Sequence, residues 1–172
     1  MKKILVFAPL LIMALSCGPQ GGSGQTVRTR HFPRVEVPAM ITDQSEQLDY
    51  ILDHYWDAFF SGEWPTDSAE VLGVPDKEVE QNISLYMALL DKLPVPEAQQ
   101  SLRGTFSKIE SRQQRDTASL FYMRFTEMLS SCLYDPNSPL RSEDLYLPIV
   151  EGLVNSRFTR PDRLAGYRFE LE

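Results

Sequence analysis

Cysteine and histidine are scarce: two of each occur in 172 residues, at Cys17, Cys132, His31 and His54. A histidine-based metal site or a Ser-His-Asp triad is therefore poorly supplied, since both depend on imidazole. Positive charge is limited too, with 17 Lys and Arg against 24 Asp and Glu and a formal net charge of -7. Nucleic-acid binding needs clustered Lys and Arg to displace phosphate counterions. Arg28, Arg30 and Arg34 are spread apart and no dense basic stretch occurs, so nucleic acid is not expected as a partner. Glycine-rich phosphate loops, G-x-S-x-G and H-E-x-x-H are all missing, which removes the motif-borne routes to phosphoryl transfer, α/β-hydrolase and zinc-protease chemistry. No catalytic residue, cofactor site or metal ligand is assigned. Sustained alternation of apolar and polar residues, the mark of a half-buried strand, is also missing, which argues against a substantial sheet.

What is present begins at the N-terminus. The chain opens MKKILVFAPLLIMALSCG, with Lys2 and Lys3, an apolar run from Ile4 to Leu15, then Ser16 and Cys17. This is the pattern of an export signal. The run falls short of the roughly 20 apolar residues that span a bilayer, and Ala-Leu-Ser-Cys resembles a bacterial lipobox, with Ala14 where Leu is more usual. Cleavage after residue 16 and lipidation of Cys17 are expected, because several acyl chains hold a membrane where one would be marginal. Loss of Lys2 and Lys3 then lowers the formal net charge from -7 to -9. Acidic residues do not follow Cys17 directly, so the domain is expected on the periplasmic side of a cell-envelope membrane, the outer membrane favoured. With Cys17 acylated, Cys132 has no internal disulfide partner. Sharing a helical phase with Phe121, Phe125 and Met128, it reads as a small buried hydrophobe.

Residues 17–41 read as a tether and an extended segment. Gly, Ser, Gln and Arg without apolar period run to about Arg34, and Pro33 and Pro38 exclude a regular helix after it. Residues 42–172 are long enough for one core rather than two. Asp43 and Glu46 have capping-box spacing ahead of Leu48, Ile51, Leu52, Tyr55, Trp56 and Phe59, predicting a first helix that runs to about Gly62. Pro75-Asp76 starts a second, with Val79, Ile83, Tyr86, Met87 and Leu90 inward, and Pro96 a third with Ala98, Leu102, Phe106 and Ile109. Gly104 weakens that third helix unless another packs closely on it. A fourth spans about Asp116 to Leu133, a fifth follows the corner after it, with Pro148 implying a kink or a start later than Ser142, and a last begins at Pro161 and carries Leu164, Tyr167 and Leu171. The class is all-α, a helical bundle or short stack of antiparallel hairpins with about five to six helices.

Two constellations compete with structural explanations. Asp49, Asp53 and Asp57 at steps of four, with Glu46, line one side of the first helix. They form a candidate partner-binding face or a solvated one, and one helix supplies too few converging oxygens for a calcium cage. His54 lies three residues before Asp57 and raises the alternative of a carboxylate-dependent hydrolase. Phe60 and Trp64 fall off or beyond the apolar stripe and are candidate exposed aromatics, which raises a carbohydrate-binding alternative.

The stretch YDPNSPLRSEDLY, residues 134–146, reads as a turn at Asp135-Pro136-Asn137 followed by a helix capped by Ser142. Arg141 is within reach of Asp135 or Asp144. Continued as YDPNSPLRSEDLYLPIVEGLV and taken with MITDQSEQLDYILDHYWDAFF, it resembles DUF5106, a domain of Bacteroidetes lipoproteins commonly found ahead of a thioredoxin-like domain. The resemblance covers about Phe32 to Glu172 and brings no catalytic residues. It implies a non-catalytic accessory module with an envelope or redox-linked protein partner. Relatives often continue into a domain with a Cys-x-x-Cys pair, which this sequence lacks, so thiol oxidoreductase activity is not expected.

Overall fold

A computed structural model of the chain describes residues 30–172; the signal segment, Cys17 and most of the expected tether lie outside the described residues. The fold is predominantly helical. Helices α1 (Gln44–His54), α3 (Asp76–Leu90), α4 (Val95–Arg115), α5 (Phe121–Leu133), α6 (Glu143–Asn155) and α7 (Pro161–Leu171) are joined by a short α2 (Asp57–Phe60) and a small hairpin, β1 (Glu70–Val71) with β2 (Val74–Pro75). Among the described residues no helix is long and apolar enough to cross a membrane.

Asp43 caps α1 by accepting from the backbone N–H groups of Ser45 at 2.8 Å and Glu46 at 3.1 Å. The predicted first helix is not continuous: it breaks after His54 and resumes as α2. Lys108 of α4 supplies a reason, donating both to the Asp53 carbonyl, which would accept from Asp57 in an unbroken helix, and to the Asp57 carboxylate. Around this break the aromatic residues converge. Trp56, 1 % exposed, packs edge-on to Tyr86 and Phe125 at centroid separations of 5.3 and 5.2 Å, and Phe60 stacks beside it. Such pairs add to simple area burial because the positive ring edge meets a negative ring face.

The lead-in is more ordered than a tether. Phe32 stacks on Phe59 at 4.9 Å, its backbone N–H donates to Glu78, and the Arg30 N–H donates to the Gly73 carbonyl. Folded structure thus includes Arg30 to Val35, well before Thr42, because an aromatic side chain there finishes the core.

The hairpin turns through Leu72 (φ 52°) and Gly73 (φ 72°). Two positive φ angles suit the twist of a two-residue hairpin. Leucine resists this region by about 1–2 kcal/mol, yet its side chain is fully buried, which is worth about 1.5–3 kcal/mol and outweighs the strain. Gly73 is required for another reason too: a Cβ there would lie 2.9 Å from the Trp64 ring.

α4 packs extensively on α6. Gly152 makes the approach possible, since a Cβ on it would come within 2.7 Å of the Phe106 ring, whereas Gly104 faces open space. Pro148 stays inside α6. Having no N–H, it leaves the Asp144 carbonyl without its helical donor, and Gln99 of α4 donates to that oxygen at 2.9 Å. α5 begins at Phe121 instead of Asp116 because the buried Gln113 amide holds the Asp116 and Ser119 carbonyls at 3.0 and 2.9 Å and accepts from the Tyr122 N–H. α7 buries no residue fully: Leu164 and Tyr167 are half-buried, Leu171 is exposed, and Phe169 is 78 % exposed.

Candidate functional site

The acidic side of α1 survives as a surface feature. Glu46, Asp49 and Asp53 are exposed, and so is Asp57 at the start of α2. The four carboxylates are not equivalent. Asp57 is paired with Lys108 at 2.6 Å and with the His54 ring at 2.7 Å. Partial burial raises its carboxyl pKa, but the hydrogen bonds and charges of Lys108 and His54 more than offset this and hold it below the ordinary value. His54 and Asp57 are therefore an exposed ion network bridging α1, α2 and α4. Among the described residues no group of three or more His, Cys, Asp and Glu side chains is placed to hold a metal ion.

The two candidate exposed aromatics are placed differently from expectation. Phe60 is only 4 % exposed and lies in the core against Trp56, Phe121 and Phe125. The break in the helix shifts its phase inward. Trp64 is half-buried, lying over Gly73 and under the Arg30 guanidinium, 5.2 Å from its ring centroid. Neither offers the free ring face that a sugar platform needs.

Cys132 is half-buried at the edge of the α5 stripe, not fully in the core. The buried positions of α5 are Phe121, Tyr122, Phe125, Thr126, Leu129 and Leu133, so Phe121 and Phe125 lie inward as predicted, whereas Met128 and Cys132 give way to Leu129 and Leu133. The thiol lines a cleft of ≈ 380 Å³ with Asp76, Ser84, Arg124 and Glu127. Desolvation raises its pKa, against a smaller opposing effect of Ser84, so it rests as the protonated thiol. At the corner after α5, the Asn137 N–H donates to the Asp135 carboxylate at 2.7 Å, and Ser142 caps α6 by accepting from Leu145. Arg141 pairs with Glu143 at 3.2 Å, not with Asp135 or Asp144.

Sequence reasoning missed a convergence of arginines at the C-terminal end of α2. Arg30 donates to the Phe59 carbonyl at 3.0 Å and to that of Ala58, and Arg115 donates to the Phe60 carbonyl at 2.6 Å. Cations here satisfy terminal carbonyls and the negative end of the helix. Arg112 is a different case: it is 3 % exposed and reaches only the Trp64 carbonyl, at 3.4 Å, while lying 5.7 Å from the Phe121 ring centroid. Its Nε–H has no partner. Arg112 and Arg115 line a cleft of ≈ 630 Å³ with Gly62, Glu63, Trp64, Pro65 and Asp116. One signal of this was present in the sequence, because three- and four-residue steps from Ile109 along the apolar stripe of α4 land on Arg112 and Gln113.

The profile of a family described as "Domain of unknown function (DUF5106)" matches residues 16–172. No curated protein matches the chain. The fold is similar to the crystal structure of a thioredoxin-like protein from Bacteroides caccae ATCC 43185, with a TM-score of 0.64 and 22 % identity, covering 83 % of this chain and 47 % of that one. This chain thus spans about half the length of that protein.

Proposed function

The chain belongs to the DUF5106 family, and from that premise we propose that it is a non-catalytic accessory module, anchored through a lipidated Cys17 on the periplasmic side of the cell envelope, that binds a protein partner. The observation that carries this reading is that the same helical fold makes up about half of a chain described as thioredoxin-like. In this reading the helical unit holds a partner, and a lipid tether raises the effective concentration of whatever it binds near the membrane. The partner class that follows is an envelope protein, thioredoxin-like or handled by one. The binding face we assign is Glu46, Asp49 and Asp53, the exposed carboxylates of α1 that no described ion pair engages. Asp57, occupied by Lys108 and His54, belongs to the scaffold.

The alternatives have less support. A hydrolase built on His54 and Asp57 would need them in a cleft with perturbed acid and base, and they sit on an exposed ridge. A carbohydrate module would need Phe60 at the surface. Thiol chemistry at Cys132 would need a lowered pKa, and its shift runs upward.

Crosslinking of intact envelopes followed by pull-down, comparing wild type with Asp49→Asn/Asp53→Asn, tests the proposal. Wild type is expected to capture a defined envelope protein and the double variant to lose it. Capture of no specific protein by wild type would defeat the module reading. Equal capture by the variant would remove the acidic face from it.

A further inference from the structure

Arg112 presents an unsolved charge. Guanidinium carries five N–H donors and stays charged at any physiological pH. A buried cation without a counter-ion costs several kcal/mol and persists only where something compensates it. Here one long hydrogen bond to the Trp64 carbonyl and the face of Phe121 are what the fold supplies. Arg112 takes part in none of the ion pairs among the described residues. Its neighbour Gln113, equally buried, has its amide fully used; the other buried arginine nitrogen without a partner, Arg124 Nε, belongs to a side chain already paired with Asp76. Desolvation, and then the nearby charge of Arg115, lower its pKa against smaller opposing effects of Asp116 and Glu63, whose carboxylates act on it without forming an ion pair.

We propose that the cleft between α4 and the loop after α2 is a binding site for a monocarboxylate, with the buried guanidinium fork of Arg112 receiving the carboxylate and Arg115 flanking it. The planar, two-oxygen geometry of a carboxylate matches the guanidinium fork. Glu63 and Asp116 stand at the same cleft, so two acids offset the two arginines and disfavour a multiply charged anion such as phosphate. Pro65 and the edge of the Trp64 ring supply apolar wall for the body of the acid, and the ≈ 630 Å³ available admits a small organic acid or the terminal residue of a peptide. This site is on a different part of the molecule from the acidic face of α1 and stands whether or not that face binds a protein.

Calorimetric titration of the purified full chain with benzoate, benzamide and inorganic phosphate tests it. Saturable benzoate binding is expected, with benzamide at least about tenfold weaker because it lacks the charge that strengthens the hydrogen bonds, and phosphate at least about tenfold weaker because its second charge meets Glu63 and Asp116. Arg112→Lys, which keeps the charge and loses the fork, is expected to weaken benzoate by about tenfold or more. Should Arg112 variants fail to fold, Glu63→Gln decides, since removing a competing carboxylate must tighten benzoate binding several-fold and leave benzamide unchanged. Acetate and a short peptide with a free or an amidated C-terminus separate a small-acid ligand from a chain terminus. No saturable benzoate binding by wild type, equal binding of benzoate and benzamide, phosphate binding as tight as benzoate, or indifference of benzoate affinity to Glu63→Gln would each overturn the proposal.

Discussion

Single residues in this molecule matter mainly through the backbone groups they complete. Lys108 is one example: its ammonium reaches a carbonyl at the end of α1 and a carboxylate at the start of α2, so one surface side chain holds the joint between them. The Asp57 end of that link makes a pH prediction. Its carboxyl titrates below the ordinary value in the folded state, so its stabilising contribution is full above the unfolded value near about 3.9 and is lost as pH falls through the lower folded value. The group is substantially exposed, so the effect is about 0–1 kcal/mol. Asp57→Asn is expected to cost that amount in urea unfolding at neutral pH, and the deficit relative to wild type should shrink on acidification. A deficit independent of pH would assign it to packing instead.

At the scale of elements, two glycines in helices separate packing from propensity. Gly104 faces open space, so Gly104→Ala should stabilise by about 0.5–1 kcal/mol through helix propensity alone. Gly152→Ala gains the same propensity but places a methyl 2.7 Å from the Phe106 ring. Overpacking of about 1–3 kcal/mol should dominate and lower the melting temperature. Chemical or thermal unfolding of the two variants side by side gives the sign of each. The sequence alone does not distinguish them, because helical periodicity reports which face turns inward and says nothing of how closely the facing helix approaches. The same limit explains the other differences. Start signals at Asp43, Pro75-Asp76 and Ser142 are local chemistry and were legible. The break after His54, the late start of α5 and the burial of Phe60 are imposed by Lys108, by Gln113 and by the aromatic cluster, all reaching in from distant parts of the chain. The arginine cleft was partly legible, since Arg112 continues an apolar stripe, but its hydrogen-bond shortfall exists only in three dimensions.

Across the whole molecule, the segment from Arg30 to Val35 ties the aromatic centre together from outside the helices. Arg30 covers Trp64 and binds the end of α2, while Phe32 lies on Phe59, Tyr55 and Trp56. Phe32→Ala is expected to cost about 3 kcal/mol, the lower end of the range for deleting an aromatic ring because Phe32 is only partly buried. Urea unfolding checks this, and an unchanged midpoint would show that the segment rests on the fold without supporting it.

The proline in α6 leaves a further mark on how the chain folds. The Asp144 carbonyl is completed by Gln99, which comes from forty-five residues earlier in the chain. A chain with α6 formed and α4 still undocked must leave that oxygen to solvent or carry it unpaired. The bond is solvent-exposed, so water can serve the carbonyl until α4 docks and Gln99 then takes the water's place. What the proline adds is therefore an address: it frees one acceptor in the first turn of α6 for a donor in the first turns of α4, and so helps to set how the two helices align.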